Sequence, residues 1–210
     1  MVRIRQTWKF WSDAENLCRH VYYADERVVP LDNEDSNHKL CTDVLFSKVE
    51  IPTENIHPID ATLLGDLKEL ADSYEKQLVS EFAGGDAVRF PVFDLILLGL
   101  GPDGHTASLF PNHELLAVED RWVAYLEDSP KPPPKRITMT YSVINHASKV
   151  AFVATGESKD DILAEIMDDP ATHSLPASRV KLTNGQLFWF VDDAASAKVK
   201  YEKTPFQLRL

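Results

Sequence analysis

A glycine-rich stretch that ends in a histidine is the part of this sequence best suited to chemistry. It spans residues 99–105 and reads GLGPDGH. Its glycines permit positive φ and close approach of the backbone to a ligand, and free N–H groups at the start of a following helix can hold an anion or a developing oxyanion. We expect that helix to begin near Thr106, with His105 in its first turn. The pattern is equally typical of a structural βα turn, and it lacks the downstream acidic residue of a dinucleotide-binding unit.

Two more groups with suitable chemistry follow predicted strands. Asp25 and Arg27 are separated by one residue, so their side chains lie on the same face if the backbone is extended there. An arginine can grip a phosphate with two parallel hydrogen bonds. Lys159 comes one turn into a predicted helix after Thr155 and Gly156, where it could reach a phosphate at the helix start. The structural alternatives are a surface salt bridge for Arg27 and a solvated charge for Lys159, and each is favoured when the residue is considered alone.

Several other kinds of site are not indicated. The remaining histidines show neither HxH nor HExxH spacing, so no metal site is predicted. No GxSxG sequence marks a serine hydrolase of that type. The two cysteines, Cys18 and Cys41, do not form a CxxC pair. This predicts a reduced protein without structural disulfides, with the cytoplasm as its default location.

The charge balance argues against two classes of partner. The chain has 22 basic and 33 acidic residues and a formal net charge of −11. Nucleic acids and anionic membranes need clustered positive charge, so neither is expected as the main partner. No apolar run approaches the length of a membrane span. A small anionic substrate remains compatible with the charge, because a few local cations are enough to bind it.

Apolar segments of two periodicities alternate along the chain. Apolar and β-branched runs predict strands at residues 20–23, 93–98, 150–154 and 186–191. Helical spacing and caps predict helices from Ser36 through Leu45, over residues 61–83, from Ser158 and over residues 194–199. The run FDLILL at residues 93–98 predicts a strand that is buried on both faces of a parallel sheet.

This alternation predicts an α/β fold, a doubly wound, mostly parallel open sheet of the Rossmann-like type. In such sheets ligands bind in the crevice beyond the carboxyl ends of the strands. Three charged or glycine-rich turns follow predicted strands, at residues 25–27, 99–105 and 156–159. We expect these turns to share one edge of the sheet and to form the site.

Taken together, these segments resemble the 6-phosphogluconolactonase family. The run FDLILLGLGPDGHTASLFP at residues 93–111 is similar to that family's signature along its whole length. Further similar stretches occur in the expected order along the chain, at residues 24–30, 35–37, 132–138, 153–159 and 187–190. The resemblance covers roughly residues 20–200 and implies one family-like α/β domain over residues 20–210.

The resemblance implies hydrolysis of 6-phosphoglucono-δ-lactone to 6-phosphogluconate, in the oxidative pentose phosphate pathway, without metal or cofactor. His105 would be the general base that takes a proton from the water attacking the lactone carbonyl. Arg27 and Lys159 are then the candidates for binding the substrate phosphate. Asp25 and Asp103 either orient the histidine or bind sugar hydroxyls, and these two roles stay open.

Three further residues are candidates for contact with substrate. Gly101 and Gly104 can present backbone N–H groups to the lactone or to the tetrahedral oxyanion. Arg136 is a candidate for the polar end of the substrate. We expect the protein to act on this small sugar-phosphate lactone as a monomer.

The chain departs from the resemblance at its N-terminus. Family members carry a strand and a glycine-rich Ser/Thr loop that cradles phosphate, upstream of the segment at residues 24–30. Residues 1–19 contain nothing similar, so we expect an atypical segment there and a sheet without its N-terminal βα unit. A truncated or catalytically silent relative, which binds a sugar phosphate or a protein partner, is therefore an alternative function.

A second alternative is glucosamine-6-phosphate deaminase, which is similar in fold and has a related Asp-Gly-His turn. That relative carries a glutamate shortly after the histidine as part of its proton-transfer machinery. Residues 108–111 of this chain read SLFP instead, and none of these side chains can exchange protons at neutral pH. The sequence therefore favours the lactonase over the deaminase.

Overall fold

The computed structural model describes residues 19–83, 90–169 and 174–205, and these contain eight strands and four α-helices. In chain order the elements are β1 (Val21–Tyr22), β2 (Asp25–Arg27), α1 (Asn37–Val44), β3 (Ile56–His57), α2 (Leu67–Phe82), β4 (Ile96–Gly99), β5 (Val123–Leu126), β6 (Arg136–Met139), α3 (Tyr141–Ile144), β7 (Lys149–Ala154), α4 (Asp160–Asp168) and β8 (Gln186–Val191). None of the described helices is long and apolar enough to cross a membrane.

The described residues fall into two units. The first unit consists of residues 19–74 and 125–137, and the second takes the remainder. β1 pairs in parallel with β3, and β2, β6 and β5 form a sheet in that order. In the third sheet β7 lies between β4 and β8 and runs parallel to both. Each parallel pair is joined by a connection that contains a helix, which confirms the predicted mostly parallel α/β fold.

The sequence located the strands of the third sheet best. β8 has the predicted bounds, and β7 adds only Lys149 to the prediction. β4 begins at Ile96, later than predicted, and β1 covers the middle of the predicted segment 20–23. The strands β2, β3, β5 and β6 and the short helix α3 were not predicted, because they are short and carry no clear apolar period.

One face of the third sheet packs into the core, and large apolar side chains on the other face are exposed. Val150 and Phe152 on β7 are fully buried. On the opposite face, Leu97, Val153 and Phe190 are 65%, 44% and 41% exposed. The prediction that the strand at residues 93–98 is buried on both faces is therefore wrong. An apolar run allows a strand to be buried on both faces. Whether a helix or loop covers the second face depends on other segments of the chain.

Two polar side chains determine where α2 begins. Asp60 accepts a hydrogen bond from the N–H of Thr62 at 2.9 Å and caps a short 3₁₀ turn. Asp66 accepts a bond from the N–H of Glu69 at 3.0 Å and caps the helix itself. α2 therefore begins at Leu67, whereas the apolar spacing predicted a helix from residue 61.

Of the other helices predicted from spacing and caps, two are confirmed and one is wrong. α1 begins after Ser36, whose hydroxyl accepts a bond from Lys39 N–H, as predicted. A 3₁₀ turn at Glu157–Lys159 leads into α4, which confirms a helix near Ser158. The predicted helix at residues 194–199 is wrong, since this stretch forms turns. There the Ser196 hydroxyl donates to the Asp192 carbonyl, and a serine bond of this kind weakens a helix.

A buried carboxylate ties β2 to the start of α1. Glu26 is 1% exposed, and its two oxygens accept four hydrogen bonds, from the N–H groups of Arg27, Asn37 and His38 and from the Ser36 hydroxyl. Burial raises the pKa of Glu26, and these bonds oppose that increase. Two of the donors are the first N–H groups of α1, so the carboxylate satisfies a helix terminus that would otherwise be left open.

Replacing Glu26 by alanine should lower the free energy of unfolding by about 3 kcal/mol, because several buried donors lose their acceptor at once. Urea denaturation of the two proteins measures this difference. Glu34→Ala is the matched control, since the Glu34 side chain is 92% exposed. We expect the control to change stability by less than about 0.5 kcal/mol. Equal losses in both variants would contradict the role given to Glu26.

Candidate active site

The loop after β4 folds back on itself within a few residues. The N–H of Gly101 donates to the His105 carbonyl at 2.8 Å, and the N–H of Gly104 donates to the Gly101 carbonyl at 3.0 Å. Gly104 has a φ of 79°, a conformation that costs other residue types energy. The loop therefore projects His105 from the carboxyl end of β4, where α/β folds bind their ligands.

Three neighbours hold the His105 imidazole. Its Nδ1 lies 2.6 Å from Asp103 Oδ1, and its ring stacks on Phe110 with centroids 4.8 Å apart and planes 28° apart. At Gly101 a Cβ atom would overlap Nδ1 and Cε1 of the imidazole and lie 2.6 Å from Asp103 Oδ1. A glycine is thus required at position 101, because any side chain there would displace the ring.

The bond to Asp103 determines which ring nitrogen can act as a base. An ionised carboxylate only accepts hydrogen bonds, so Nδ1 is the donor and carries the proton. Nε2 then keeps its lone pair, which is the arrangement of a general base. The His105 side chain is 18% exposed and that of Asp103 is 36% exposed, so the pair is shielded and still reachable. Asp103 was expected either to orient the histidine or to bind a sugar hydroxyl, and this geometry favours the first role.

The prediction of a helix that begins near Thr106 is wrong. Thr106 and Leu109 bond to each other in a tight turn, and Ala107 has a φ of 48°. The Thr106 hydroxyl donates to the Gly99 carbonyl at 2.9 Å, and Pro111 lacks the N–H that a helix would use. No helix therefore starts directly after His105 to supply oxyanion donors, and the N–H groups of Gly101 and Gly104 donate within the loop.

Lys159 lies at the same sheet edge as His105. β4 and β7 are parallel neighbours, so the turns after Gly99 and after Ala154 lie side by side, as predicted. The N–H of Gly156 donates to the Asp192 carboxylate at 3.0 Å, and hydrogen bonds from Ala195 and Gly156 lower the pKa of Asp192. Because a carboxylate already holds this N–H, it is not free to bind a phosphate, and phosphate binding by Lys159 stays a prediction.

Asp25 and Arg27 lie on β2 in the first unit. Glu26 between them points inward, and both flanking side chains lie on the other face, as the alternation predicted. The Arg27 Nη1 donates to the Asp35 carbonyl at 2.7 Å, which fixes the direction of the guanidinium. The Asp25 Oδ1 accepts a bond from the Asn37 amide at 3.2 Å. Substrate binding by Asp25 and by Arg27 stays a prediction.

The Arg136 side chain is buried in the first unit and bonds to backbone carbonyl groups. The residue is 3% exposed, and its guanidinium donates to the carbonyl oxygens of Lys131, Pro132 and Pro133 at 3.0 Å each. Burial lowers its pKa, and the nearby charge of Arg27 adds to this effect. These contacts favour a structural role, in which Arg136 holds the proline-rich loop, and its contact with substrate stays a prediction.

A distant segment supports the histidine loop from behind. The N–H of Ala177 donates to the Gly104 carbonyl at 3.0 Å, and the Leu175 side chain packs against Gly104. The Tyr141 hydroxyl donates to the Pro176 carbonyl at 2.9 Å and so holds this segment in place. Sequence reasoning missed this support, because its contacts join residues far apart in the chain. It also missed the contact of Phe110 with His105, because an apolar side chain carries no signal of such a contact.

Comparison with known proteins gives a consistent set of relatives. Residues 7–189 match a family model described as glucosamine-6-phosphate isomerases/6-phosphogluconolactonase. The chain is 50% identical over 186 residues to a probable 6-phosphogluconolactonase of Schizosaccharomyces pombe, and the match covers 86% of this chain and 72% of that protein. It is 45% identical to the 6-phosphogluconolactonase of Homo sapiens, with 86% and 69% covered.

Solved structures extend this similarity to the backbone. The 6-phosphogluconolactonase from Trypanosoma cruzi superimposes with a TM-score of 0.76 and is 31% identical in sequence. The superposition covers 87% of this chain and 73% of that protein. The fold of this chain is therefore similar to that of an enzyme of known structure.

Proposed function

The chain belongs to the glucosamine-6-phosphate isomerase/6-phosphogluconolactonase family, and we propose that it hydrolyses 6-phospho-D-glucono-1,5-lactone to 6-phospho-D-gluconate. Relatives at 45% and 50% identity carry the name of that enzyme. The observation that carries the proposal is the 2.6 Å hydrogen bond between Asp103 and His105 at the carboxyl end of β4. It prepares a base of the kind that lactone hydrolysis needs, in a place where substrate can reach it.

The chemistry begins with a water molecule beside Nε2 of His105. Nε2 takes a proton from the water as its oxygen attacks the lactone carbonyl carbon. The imidazole becomes a cation in this step, and the Asp103 carboxylate on Nδ1 stabilises that charge. The tetrahedral intermediate then collapses, the bond from the carbonyl carbon to the ring oxygen breaks, and the imidazolium returns its proton to that oxygen. The product is an open-chain hydroxy acid, which ionises in water.

Cations and backbone N–H groups would bind the rest of the substrate. Arg27 and Lys159 are the proposed phosphate ligands, because each is a cation that follows or lies at the end of a strand. Gly101 and Gly104 are proposed to contact the lactone through their backbone, while the N–H of each also donates within the loop. Asp25 is proposed to bind a sugar hydroxyl, since its carboxylate accepts hydrogen bonds.

The deaminase remains the weaker candidate within the same family. The residues after the histidine turn are Ser108, Leu109 and Phe110, and all three are at most 1% exposed. Buried apolar groups and a buried hydroxyl cannot relay the protons that an amine-releasing isomerisation requires. The intact pair of Asp103 and His105 likewise speaks against a silent relative.

One assay separates these functions. The purified chain is given freshly prepared 6-phosphogluconolactone, and the hydrolysis rate is measured after subtraction of the uncatalysed rate. The same preparation is given glucosamine 6-phosphate, and ammonia is measured. We expect lactone turnover and no ammonia. Ammonia without lactone turnover would make the chain a deaminase, and binding of 6-phosphogluconate to a folded chain without any turnover would make it a silent relative.

Replacing Asp103 by asparagine should lower kcat for the lactone by about 100-fold and change KM little. An asparagine amide can donate to Nδ1 and so favours the tautomer in which Nε2 carries the proton and cannot act as a base. Asp94→Asn is the matched control, because Asp94 lies just before β4 and is exposed. Steady-state kinetics of both variants measures the effect. Equal activity of the two variants would remove Asp103 from the mechanism.

A further inference from the structure

We propose that Phe110 is a positioning residue for this reaction, whose ring face stabilises the protonated form of His105. The proposal rests on the proposed function, because it assigns a part to Phe110 in the same proton transfer. It assigns no contact with substrate to Phe110, which would act only through the imidazole.

The geometry places an aromatic face against the base. Phe110 is 1% exposed, and its ring lies 4.8 Å from that of His105 with the planes 28° apart. The Asp103 carboxylate meets the imidazole at its Nδ1 edge. The two neighbours therefore act on different parts of the same ring, one at the edge and one on the face.

The electrostatics of such a stack favour the charged imidazole. The face of a benzene ring carries partial negative charge, and a cation within about 6 Å of its centre is attracted to it. His105 is neutral before the reaction and becomes a cation as it takes the proton from water. The attraction thus appears in the transition state and is absent from the resting enzyme, which is the condition for an interaction to accelerate a reaction.

Other groups that contact this loop would not change the protonation of His105 when Phe110 is altered. Leu175 and Ala177, which support Gly104, do not titrate. Among the described residues, Asp103 contacts the imidazole at Nδ1, and this contact stays unchanged when the Phe110 ring is fluorinated. A change in the protonation of His105 on altering the Phe110 ring therefore reports the stack.

The decisive experiment changes the charge on the ring face and leaves the shape of the ring nearly unchanged. Phe110 is replaced site-specifically by 4-fluorophenylalanine and by 3,4,5-trifluorophenylalanine, since fluorine withdraws electrons from the ring face. The pKa of His105 is measured by NMR titration of its ring nitrogens in the free protein, with the signal assigned by His105→Gln. The pH dependence of kcat/KM is measured on the same samples.

We expect the pKa of His105 to fall stepwise with fluorination, by about 0.5 for the trifluoro ring, and the acid limb of kcat/KM to move with it. Phe110→Leu, which removes the ring, should lower kcat about five- to tenfold with little change in KM. A pKa that stays constant across the fluorinated series would overturn the proposal.

A second buried phenylalanine serves as the control. Phe152 is fully buried and stacks on Trp189 with centroids 4.0 Å apart, so it matches Phe110 in burial and in aromatic contact. Fluorination of Phe152 should leave the pKa of His105 unchanged, and an equal shift there would also overturn the proposal. Because the NMR titration needs no turnover, it tests the stack even if the chain does not hydrolyse the lactone.

Discussion

Replacing His105 by alanine lowers kcat/KM for the lactone by about 10³-fold and leaves the chain folded, which is the first result we expect. Loss of a general base typically costs two to four orders of magnitude in rate, roughly 3–5 kcal/mol of transition-state stabilisation. Activity is measured by steady-state hydrolysis with the spontaneous rate subtracted, and folding by circular dichroism.

The control for this variant is His146→Ala. His146 lies in the same unit, its Nδ1 contacts the Ser142 carbonyl at 2.7 Å, and its ring lies 4.5 Å from that of Phe90. It therefore resembles His105 in having a polar partner and an aromatic neighbour, but it lies away from the loop after β4. Its replacement should keep activity within a factor of about two. A His105→Ala variant as active as this control would show that the base lies elsewhere.

Gly101→Ala is expected to lower kcat/KM nearly as far as the loss of His105 itself. The added methyl group would occupy the space of Nδ1 and Cε1, so the imidazole has to leave its place beside Asp103. A displacement of about 1 Å from the reactive geometry is enough to cost about 100-fold in rate. Kinetics and thermal unfolding, measured together, separate a displaced histidine from a destabilised fold.

A neighbouring glycine provides the matched comparison. A Cβ atom added to Gly99, at the end of β4, would meet nothing within 4 Å. Gly99→Ala should therefore keep its activity within a factor of about two. If Gly101→Ala were also fully active, the loop would have to relax enough to hold both a methyl group and the imidazole, and its tight geometry would not matter for catalysis.

The sequence predicted those parts of the fold that depend on local pattern. β7 and β8 are long apolar runs between turn residues, and Ser36 is a polar cap directly before α1, so both kinds of signal lie within a few residues. The exposed face of the third sheet had no such signal. The side chain of Leu97 is apolar whether or not an element covers it, so its exposure depends on packing that its own strand does not encode.

The candidate site shows the same division. The glycine-rich spacing identified His105 and its loop, but it also predicted a helix at Thr106 that the chain does not form. A positive φ at Ala107 and the side-chain bond from Thr106 to Gly99 decide the conformation there, and neither follows from helix propensity. A role for Phe110 beside His105 was not predicted, because their contact depends on how the tight turn between them folds.

The loop that holds His105 also has a consequence for how the site assembles. Gly101, Asp103 and Phe110 lie within ten consecutive residues of each other, so closing the contacts around the imidazole restricts only a short length of chain. Short loops lose little entropy on closure, and contacts of low sequence separation form early in folding. The contacts around the imidazole are thus local, whereas the support that Ala177 gives to Gly104 comes from a segment distant in the chain. The histidine can therefore take its place beside Asp103 before that segment docks during folding.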